Sequence, residues 1–286
     1  MPAALVWLRE SERGTAWLAE LPRLVAECCA SWQLETGPAF PLANVSLALA
    51  ATRSDGSAAV LKLQYPHRES LHEAAALRCW NGEGAVRLLQ HDEARNALLL
   101  ERARPGAHLS ELAPDKAIAV LCELLPRLWK PAAAPFASLA DEAAAWAVEL
   151  PSRWERAGRP YERALLDAAL GSIGELAGSQ GEQVLLHQDL HAGNVLRAER
   201  EPWLAIDPKP LVGEREFGVA PIVRGAELGH ARALVIGRLD GLCGELGLER
   251  ERARGWTLAQ TLAWAIDDDG ADAEHVEVAR WMHQAG

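Results

Sequence analysis

The chain contains 286 residues, and its 29 basic and 40 acidic side chains give a net charge of −11 at neutral pH. The 49% hydrophobic and 24% charged composition is typical of globular proteins and excludes wholesale disorder, and the length predicts one two-lobed unit or two domains. The acidic balance argues against a nucleic-acid backbone as the main partner.

The N-terminal third predicts a helix followed by a small sheet. Apolar residues recur at loosely helical spacing through residues 1–35. Asp55-Gly56 separates two apolar runs, around Val45–Leu49 and Ala59–Leu63, and this pattern predicts a β-hairpin. The remaining elements are an Ala- and Leu-rich helix over 67–80, which ends at an Asn-Gly pair, and short strands over 85–89 and 97–100.

From residue 104 onward the pattern is mainly helical. The predicted helices span residues 114–129, 139–156, 161–177, 231–246 and 252–266. One extended segment, 184–206, interrupts them. The order of elements predicts an α+β protein with a small antiparallel-sheet lobe, 1–103, that contains one inserted helix, and a larger, mostly helical lobe, 104–286.

A polar loop lies between the two apolar strands of the extended segment. It reads His-Gln-Asp-Leu-His-Ala-Gly-Asn over residues 187–194, and a second carboxylate, Asp207, follows the second strand. The tight Ala-Gly bend allows Asp189 and Asn194 to point into one cleft. Phosphoryl transfer uses these residue types, because one carboxylate accepts the proton of the attacking hydroxyl while an amide oxygen and a second carboxylate hold Mg²⁺ against the nucleotide phosphates.

Phosphoryl transfer also needs a cation on the phosphates. Lys62 lies in an apolar strand, and Glu73 lies on the following helix, eleven residues later. Taken alone, Lys62 is typical of a surface lysine whose stem covers apolar surface, and Glu73 is typical of a solvated helix glutamate. Their order along the chain relative to Asp189, Asn194 and Asp207 instead favours a functional set.

This set resembles the kinase-type phosphotransferases, in which a strand lysine, a helix glutamate, HxDxxxxN and a metal-binding aspartate occur in this order. More closely, HQDLHAGNVL and IDPKP resemble the aminoglycoside phosphotransferase family. KPLVGEREFG, GAVRLL, ALLLER and LAWAIDDDG resemble its streptomycin 6-kinase or hydroxyurea phosphotransferase branch, over about residues 44–270. The resemblance implies a protein-kinase-like fold and an enzyme that uses ATP and Mg²⁺ to phosphorylate a hydroxyl of a small cationic molecule, with streptomycin the first expectation.

The resemblance also implies a role for each residue of the set. Asp189 is the expected catalytic base, Asn194 and Asp207 the metal ligands, Lys62 the ligand of the α- and β-phosphates paired with Glu73, and the Glu101 carbonyl and Ala103 amide the contacts of adenine. The sequence departs from protein kinases in having no glycine-rich loop before the first strand, and Ser46 is the candidate for covering the phosphates. Gln188 and the Asp-Pro-Lys that replaces Asp-Phe-Gly predict an enzyme that needs no activating phosphorylation.

Two local patterns stay open. His187-x-Asp189-x-His191 has the spacing of metal ligands, but no second His/Asp cluster completes such a site, and His187 after two leucines is typical of a core histidine. Asp267–Asp269 follow a predicted helix, whose dipole disfavours carboxylates at its C-terminal end. They either bind a cationic substrate through Asp268 and Asp269, with Glu216 as a further candidate, or cap a helix that begins near Ala273.

Cysteine usage and hydropathy bear on the compartment. The five cysteines form no CxxC pair and two are adjacent, which is typical of a reducing cytoplasm rather than of a disulfide scaffold. Charges interrupt the N-terminal apolar stretch, and the uncharged stretch 36–52 contains two prolines, so neither a secretory signal nor a membrane span is predicted. We expect a cytoplasmic protein that binds neither membrane nor nucleic acid; its oligomeric state is not predicted.

The rival functions are a kinase of another metabolite, such as an amino-alcohol, or of another antibiotic, and an inactive nucleotide-binding regulator.

Overall fold

A computed structural model of the protein describes residues 3–41, 45–267 and 270–286. The chain divides into two compact units. One comprises Met1–Gly106 and Arg197–Leu204, and the other comprises Ala107–Leu196 and Ala205–Gly286. No helix within the described ranges has the length and hydrophobicity needed to cross a lipid bilayer.

The first unit is an antiparallel sheet with two helices. Its elements are α1 (Glu12–Trp32), β1 (Leu34–Ala39), β2 (Ser46–Arg53), β3 (Ala58–Gln64), α2 (Glu73–Trp80), β4 (Leu88–Asp92) and β5 (Ala97–Glu101), with a 3-10 turn over Ala3–Glu10 before α1. The strand order is β1-β2-β3-β5-β4. Leu21 and Cys28 of α1 pack on Leu47, Leu61 and Leu99 of the sheet, and burial of these apolar side chains stabilises the unit.

The predicted hairpin, helices and strands of this unit are confirmed in kind, with three corrections. The N-terminal helix stops at Trp32, because Gln33 adopts a left-handed conformation, and β1 follows. That strand could not be predicted because only Leu34 in it is buried, so it shows no alternation. The predicted helix over 67–80 forms a regular α-helix only from Glu73, after a 3-10 turn, and the strand predicted over 85–89 lies at Leu88–Asp92.

The second unit is mainly helical. Its elements are α3 (Pro114–Leu128), β6 (Ala137–Ser138), α4 (Leu139–Arg156), α5 (Arg163–Ala177), β7 (Gln183–Leu186), β8 (Val195–Arg197), β9 (Trp203–Ala205), β10 (Leu211–Glu214), α6 (Ala220–Arg224), α7 (Arg232–Leu246), α8 (Arg250–Ala263), β11 (Ile266–Asp267), β12 (Gly270–Ala271) and α9 (Ala273–Gln284). Strands β6-β10-β7 form a small sheet, and β8-β9 and β11-β12 form two-stranded ladders. The tail of β8 and most of β9 belong to the segment counted with the first unit.

Helix α8 is the central helix of this unit, and every residue from Gly255 to Ala263 is buried. The five predicted helices are confirmed, and α4 has the predicted bounds. Strand β10 was not predicted, because its four residues are all buried and show no alternation.

The acidic run near the C-terminus requires a correction. Helix α8 ends at Ala263 rather than at residue 266, and Asp267, the first residue of the run, belongs to strand β11 and not to a helix end. Helix α9 begins at Ala273 as predicted, but the carboxylate that caps it is Asp272, which accepts the His275 N–H at 3.0 Å, and not a member of the run. The predicted substrate residues Asp268 and Asp269 lie outside the described residues.

Candidate active site

The first unit contains a buried ion pair between Lys62 and Glu73. The Lys62 ammonium lies 2.6 Å from Oε2 of Glu73, and the two residues are only 6% and 1% exposed. The alternation of strand β3 places Lys62 and Gln64 on one face, and Gln64 Nε2 donates to the same carboxylate oxygen at 2.6 Å. Because a buried charge is stable only when it is paired, the pair fixes the lysine in one position. Gln64 is a member of this cluster that sequence patterns did not reveal.

Ser46 lies on the same face of the sheet. It begins β2 directly opposite Gln64 in the β2–β3 ladder, and it is 3% exposed. Side chains of directly opposed residues in an antiparallel pair point to one face, so Ser46 neighbours the Lys62–Glu73 cluster. Residues 42–44, just before it, lie outside the described residues.

Glu101, at the end of β5, is held by Arg200. Its two carboxylate oxygens accept from Arg200 Nε at 2.8 Å and Nη2 at 2.9 Å, and one also accepts the Arg87 N–H at 2.9 Å. Although burial raises the pKa of Glu101, the hydrogen bonds from Arg200 and Arg87 outweigh it and hold the pKa below its usual range. The carboxylate therefore anchors the start of the segment that leads to Ala103, a half-buried residue just after the strand.

The loop over 187–194 in the second unit is fixed by its own backbone and by buried side chains. His187 is 3% exposed, and its Nε2 donates to the Ile206 carbonyl at 3.0 Å. Burial lowers the pKa of His187 to about 4, so the imidazole is neutral at neutral pH. This is the core histidine that the sequence favoured. The next residue, Gln188, has a left-handed backbone with φ of 64°.

Two hydrogen bonds bring Asp189, Asn194 and Asp207 together. The Asn194 side-chain amide donates to the Asp189 carbonyl at 2.9 Å, and the Ile206 N–H donates to the Asn194 carbonyl at 2.9 Å, which places Asp207 next to the loop. Because the Asn194 amide nitrogen is engaged, its Oδ1 remains as the donor atom for a cation. An amide oxygen with a carboxylate is a donor set that Mg²⁺ prefers, and these two residues fit that ion.

His191 and its neighbours brace the loop rather than form a metal cluster. Nδ1 of His191 accepts the Gly193 N–H at 3.1 Å, and the Ala192 N–H is bound by Glu227 at 3.0 Å. His108 donates to the Gly193 carbonyl at 2.7 Å. Within the residues that the structure describes, no group of three or more His, Cys, Asp or Glu side chains is arranged to hold a metal.

Two cations flank the Asp189 carboxylate, and neither was identified from the sequence. Lys209 Nζ lies 3.2 Å from Oδ2, and Arg224 Nη2 lies 3.5 Å from Oδ1. Both cations also lie over the ring of Trp264, at 4.6 and 4.5 Å from its centroid. Burial lowers the pKa of the Arg224 guanidinium to about 10, which leaves it charged at neutral pH.

Glu214 of β10 and Glu216 of the following turn differ in how accessible their carboxylates are. Glu214 is fully buried, and its carboxylate is bound by Trp256, by the Gly181 N–H and by two nitrogens of Arg252, at 2.9 and 2.8 Å. Glu216, the predicted substrate residue, is half-buried, and its Oε1 accepts only weakly from the Glu249 N–H, at 3.4 Å. Glu214 is thus committed to the core, whereas Glu216 keeps an accessible carboxylate.

Comparison with known proteins places this geometry among kinases. The family model of the aminoglycoside/hydroxyurea antibiotic resistance kinases matches residues 31–270. The chain is 42% identical to a streptomycin 6-kinase of Streptomyces griseus, over 90% of this chain and 87% of that protein. It is 41% identical to a hydroxyurea phosphotransferase of Kitasatospora aureofaciens, over 98% of this chain and 84% of that protein. The structure resembles that of choline kinase LicA from Streptococcus pneumoniae, with a TM-score of 0.65 at 12% identity over 93% and 98% of the two chains, which confirms the predicted kinase-like fold.

Proposed function

The chain belongs to the aminoglycoside/hydroxyurea antibiotic resistance kinase family, and on that premise we propose that it transfers the γ-phosphoryl group of ATP to a hydroxyl group of streptomycin. It is a phosphotransferase with an alcohol group as acceptor. The streptomycin 6-kinases that are 42% identical to this chain support streptomycin as the acceptor. A cationic substrate of this kind also complements the net charge of −11.

The observation that carries the proposal is the loop geometry around Asp189. We assign Asp189 as the base that accepts the proton of the acceptor hydroxyl. The carboxylate is held by Arg224 and Lys209 and its backbone by Asn194, so it is positioned before substrate binds. Such positioning lowers the barrier, because the reacting groups need not be ordered again in the transition state.

The remaining residues bind the nucleotide and its metal. Lys62, fixed by Glu73, contacts the α- and β-phosphates, Ser46 covers the phosphates, and the backbone of Glu101 and Ala103 contacts adenine. Asn194 and Asp207 would hold Mg²⁺, which would neutralise charge on the nucleotide phosphates. We therefore assign nucleotide binding mainly to residues 1–103 and the catalytic loop to residues 104–286. ATP as donor and the free thiols support a cytoplasmic location.

A single assay tests the function. ATP turnover is measured with streptomycin, with hydroxyurea and with an amino-alcohol as acceptors, and the product is examined by mass spectrometry for one added phosphoryl group. We expect streptomycin-dependent turnover, and Asp189→Asn should lower kcat by about 10²–10⁴-fold while ADP binding is retained. Turnover only with hydroxyurea would favour the second candidate, which the relative of that name supports. ADP production that no acceptor stimulates would refute the kinase assignment.

A further inference from the structure

The two cations on Asp189 occupy both oxygens of the carboxylate. Arg224 lies beside Oδ1 and Lys209 beside Oδ2. A base must present one oxygen to the hydroxyl that it deprotonates. Each carboxylate oxygen can accept more than one hydrogen bond, so the cation beside that oxygen either shares it with the hydroxyl or moves to another anion.

Arg224 is the cation that stays. Its side chain is 7% exposed, Nη1 donates to Gln260 Oε1 at 2.5 Å, and its guanidinium lies over Trp264. Gln260 is itself fully buried and bound to the Gln188 carbonyl. Displacing the guanidinium would leave a buried charge and a buried amide without partners, which is strongly unfavourable. Arg224 is thus a positioning residue for Asp189.

Lys209 is the cation that can move. Its side chain is 24% exposed, and a lysine ammonium is a compact charge on a flexible four-carbon stem. Its backbone is fixed, because the Lys209 N–H donates to the His187 carbonyl at 3.0 Å. The ammonium can therefore exchange one anionic partner for another close by while the main chain stays in place. Asp207, the proposed metal ligand, is only two residues away in the chain.

We propose that Lys209 is a catalytic residue that passes from Asp189 Oδ2 to the transferring phosphoryl group. The inference rests on the proposed function. Once the nucleotide is bound, the ammonium contacts the γ-phosphoryl oxygens whether or not the acceptor is present, and Oδ2 is then available to the acceptor hydroxyl. The acceptor oxygen then bonds to phosphorus, the bond from phosphorus to the β–γ bridging oxygen breaks with its electron pair leaving on ADP, and the hydroxyl proton passes to Asp189 Oδ2. Lys209 keeps its proton throughout and compensates charge on the phosphoryl oxygens.

The alternative is a static ion pair in which Lys209 only orients Asp189. Binding of MgADP with and without aluminium fluoride, a mimic of the phosphoryl group in transfer, separates the two without needing an acceptor. Calorimetry is carried out on the wild type, Lys209→Met, Lys209→Gln and Lys116→Met, the last replacing an exposed lysine of α3 as a matched control. The second substitution at 209 covers the case in which the first does not fold.

We expect aluminium fluoride to tighten MgADP binding in the wild type and in Lys116→Met. In Lys209→Met or Lys209→Gln this tightening should fall by about 10²-fold, with the Kd of MgADP alone changed less than about twofold. Tightening equal to that of the wild type would show that Lys209 does not touch the phosphoryl group and would overturn the proposal. Failure of the wild type to bind MgADP would refute the proposed function itself and the inference with it. Normal MgADP binding without turnover of streptomycin would remove only the acceptor assignment.

Kinetics provides a second readout. The charge-preserving variant Lys209→Arg should recover part of the kcat that Lys209→Met loses, because Arg also contacts phosphate although its planar group is larger. A loss of kcat that is equal in Lys209→Arg and Lys209→Met, with unchanged aluminium fluoride binding in both, would assign Lys209 to orientation of Asp189 only.

Discussion

The side-chain amide of Gln260 donates a hydrogen bond to the carbonyl oxygen of Gln188 at 3.0 Å, across 72 residues of sequence. Gln188 has a left-handed backbone, which is unfavourable for a residue with a side chain, and it immediately precedes Asp189. Helix α8 therefore holds the strained residue before the proposed base from the interior of the second unit. The same Gln260 accepts from Arg224, so one buried amide fixes both the backbone and the ion pair of Asp189.

The first prediction concerns this amide. Gln260→Leu should lower the free energy of unfolding by about 1–3 kcal/mol, because a buried carbonyl and a buried guanidinium each lose a partner. We expect kcat to fall by about tenfold or more with a smaller change in the KM of ATP, since the base is misplaced but the nucleotide residues are not. Urea unfolding and steady-state kinetics measure the two effects. An unchanged kcat in a destabilised variant would show that the amide supports only the fold.

The second prediction concerns the Lys62–Glu73 pair. Lys62→Met leaves the buried carboxylate of Glu73 without its cation and should cost about 3–5 kcal/mol of stability. The double variant Lys62→Met/Glu73→Leu should recover most of that stability, because no unpaired charge remains, while ATP turnover stays lost. Chemical denaturation and ATP kinetics on the two variants test this. Recovery of turnover together with stability would remove Lys62 from nucleotide binding.

The candidate site residues that sequence patterns identified have informative spacing along the chain, whereas the residues that the patterns missed have none. Lys62, Glu73, Asp189 and Asn194 sit at short, fixed spacings on predictable elements, so their order along the chain was informative. Lys209, Arg224 and Gln260 contact Asp189 or the residue before it only through tertiary packing, and no local spacing encodes such contacts. Helices α3 and α4 have long amphipathic patterns, whereas β1 and β10 are too exposed or too buried to show a period.

The third prediction concerns the stability of the fold in acid. The pKa of His187 is lowered by burial to about 4, from an ordinary value of 6.5, so the folded state binds fewer protons than the unfolded state between these values. The stability contributed by the neutral imidazole is complete above about pH 6.5, declines as the pH falls toward 4, and amounts to about 3 kcal/mol. The free energy of unfolding of His187→Gln should therefore depend less on pH between 5 and 7 than that of the wild type. Most carboxylates titrate below this window.

Unfolding of the two proteins is compared by urea denaturation at several pH values in that window. His275 and His91, whose pKa values burial also lowers, are present in both proteins and cancel in the comparison. Parallel pH curves for the wild type and His187→Gln would contradict the assignment of a buried, neutral His187.

The fourth prediction separates Glu214 from Glu216. Glu214→Gln weakens the pairing with Arg252 and should lower the free energy of unfolding by about 2–4 kcal/mol. Glu216→Gln serves as the matched variant, since among the described residues its carboxylate accepts one long hydrogen bond, from the Glu249 N–H, and it should change stability by less than about 0.5 kcal/mol. If Glu216 binds a cationic group of the acceptor, its variant raises the KM of streptomycin about tenfold and leaves the KM of ATP unchanged. Equal acceptor KM values would exclude Glu216 from the substrate site.

The last prediction concerns the segment proposed to contact adenine. Besides its two bonds to Glu101, Arg200 donates to the carbonyl oxygens of Gly82, at 2.6 Å, and Ala85, at 3.0 Å. A guanidinium can make these contacts at once because its donors form a planar fork, and a lysine cannot. Arg200→Lys keeps the charge but loses the fork, so the Glu101 backbone should be less well fixed and the KM of ATP should rise by about three- to tenfold, with kcat changed less. Arg95→Lys is the control, since Arg95 forms ion pairs on the same unit with Glu27 and Asp92, away from this segment. Steady-state kinetics with varied ATP measures both variants. A KM of ATP that moves equally in the two would mean that general loss of surface ion pairs, and not the anchoring of Glu101, is responsible.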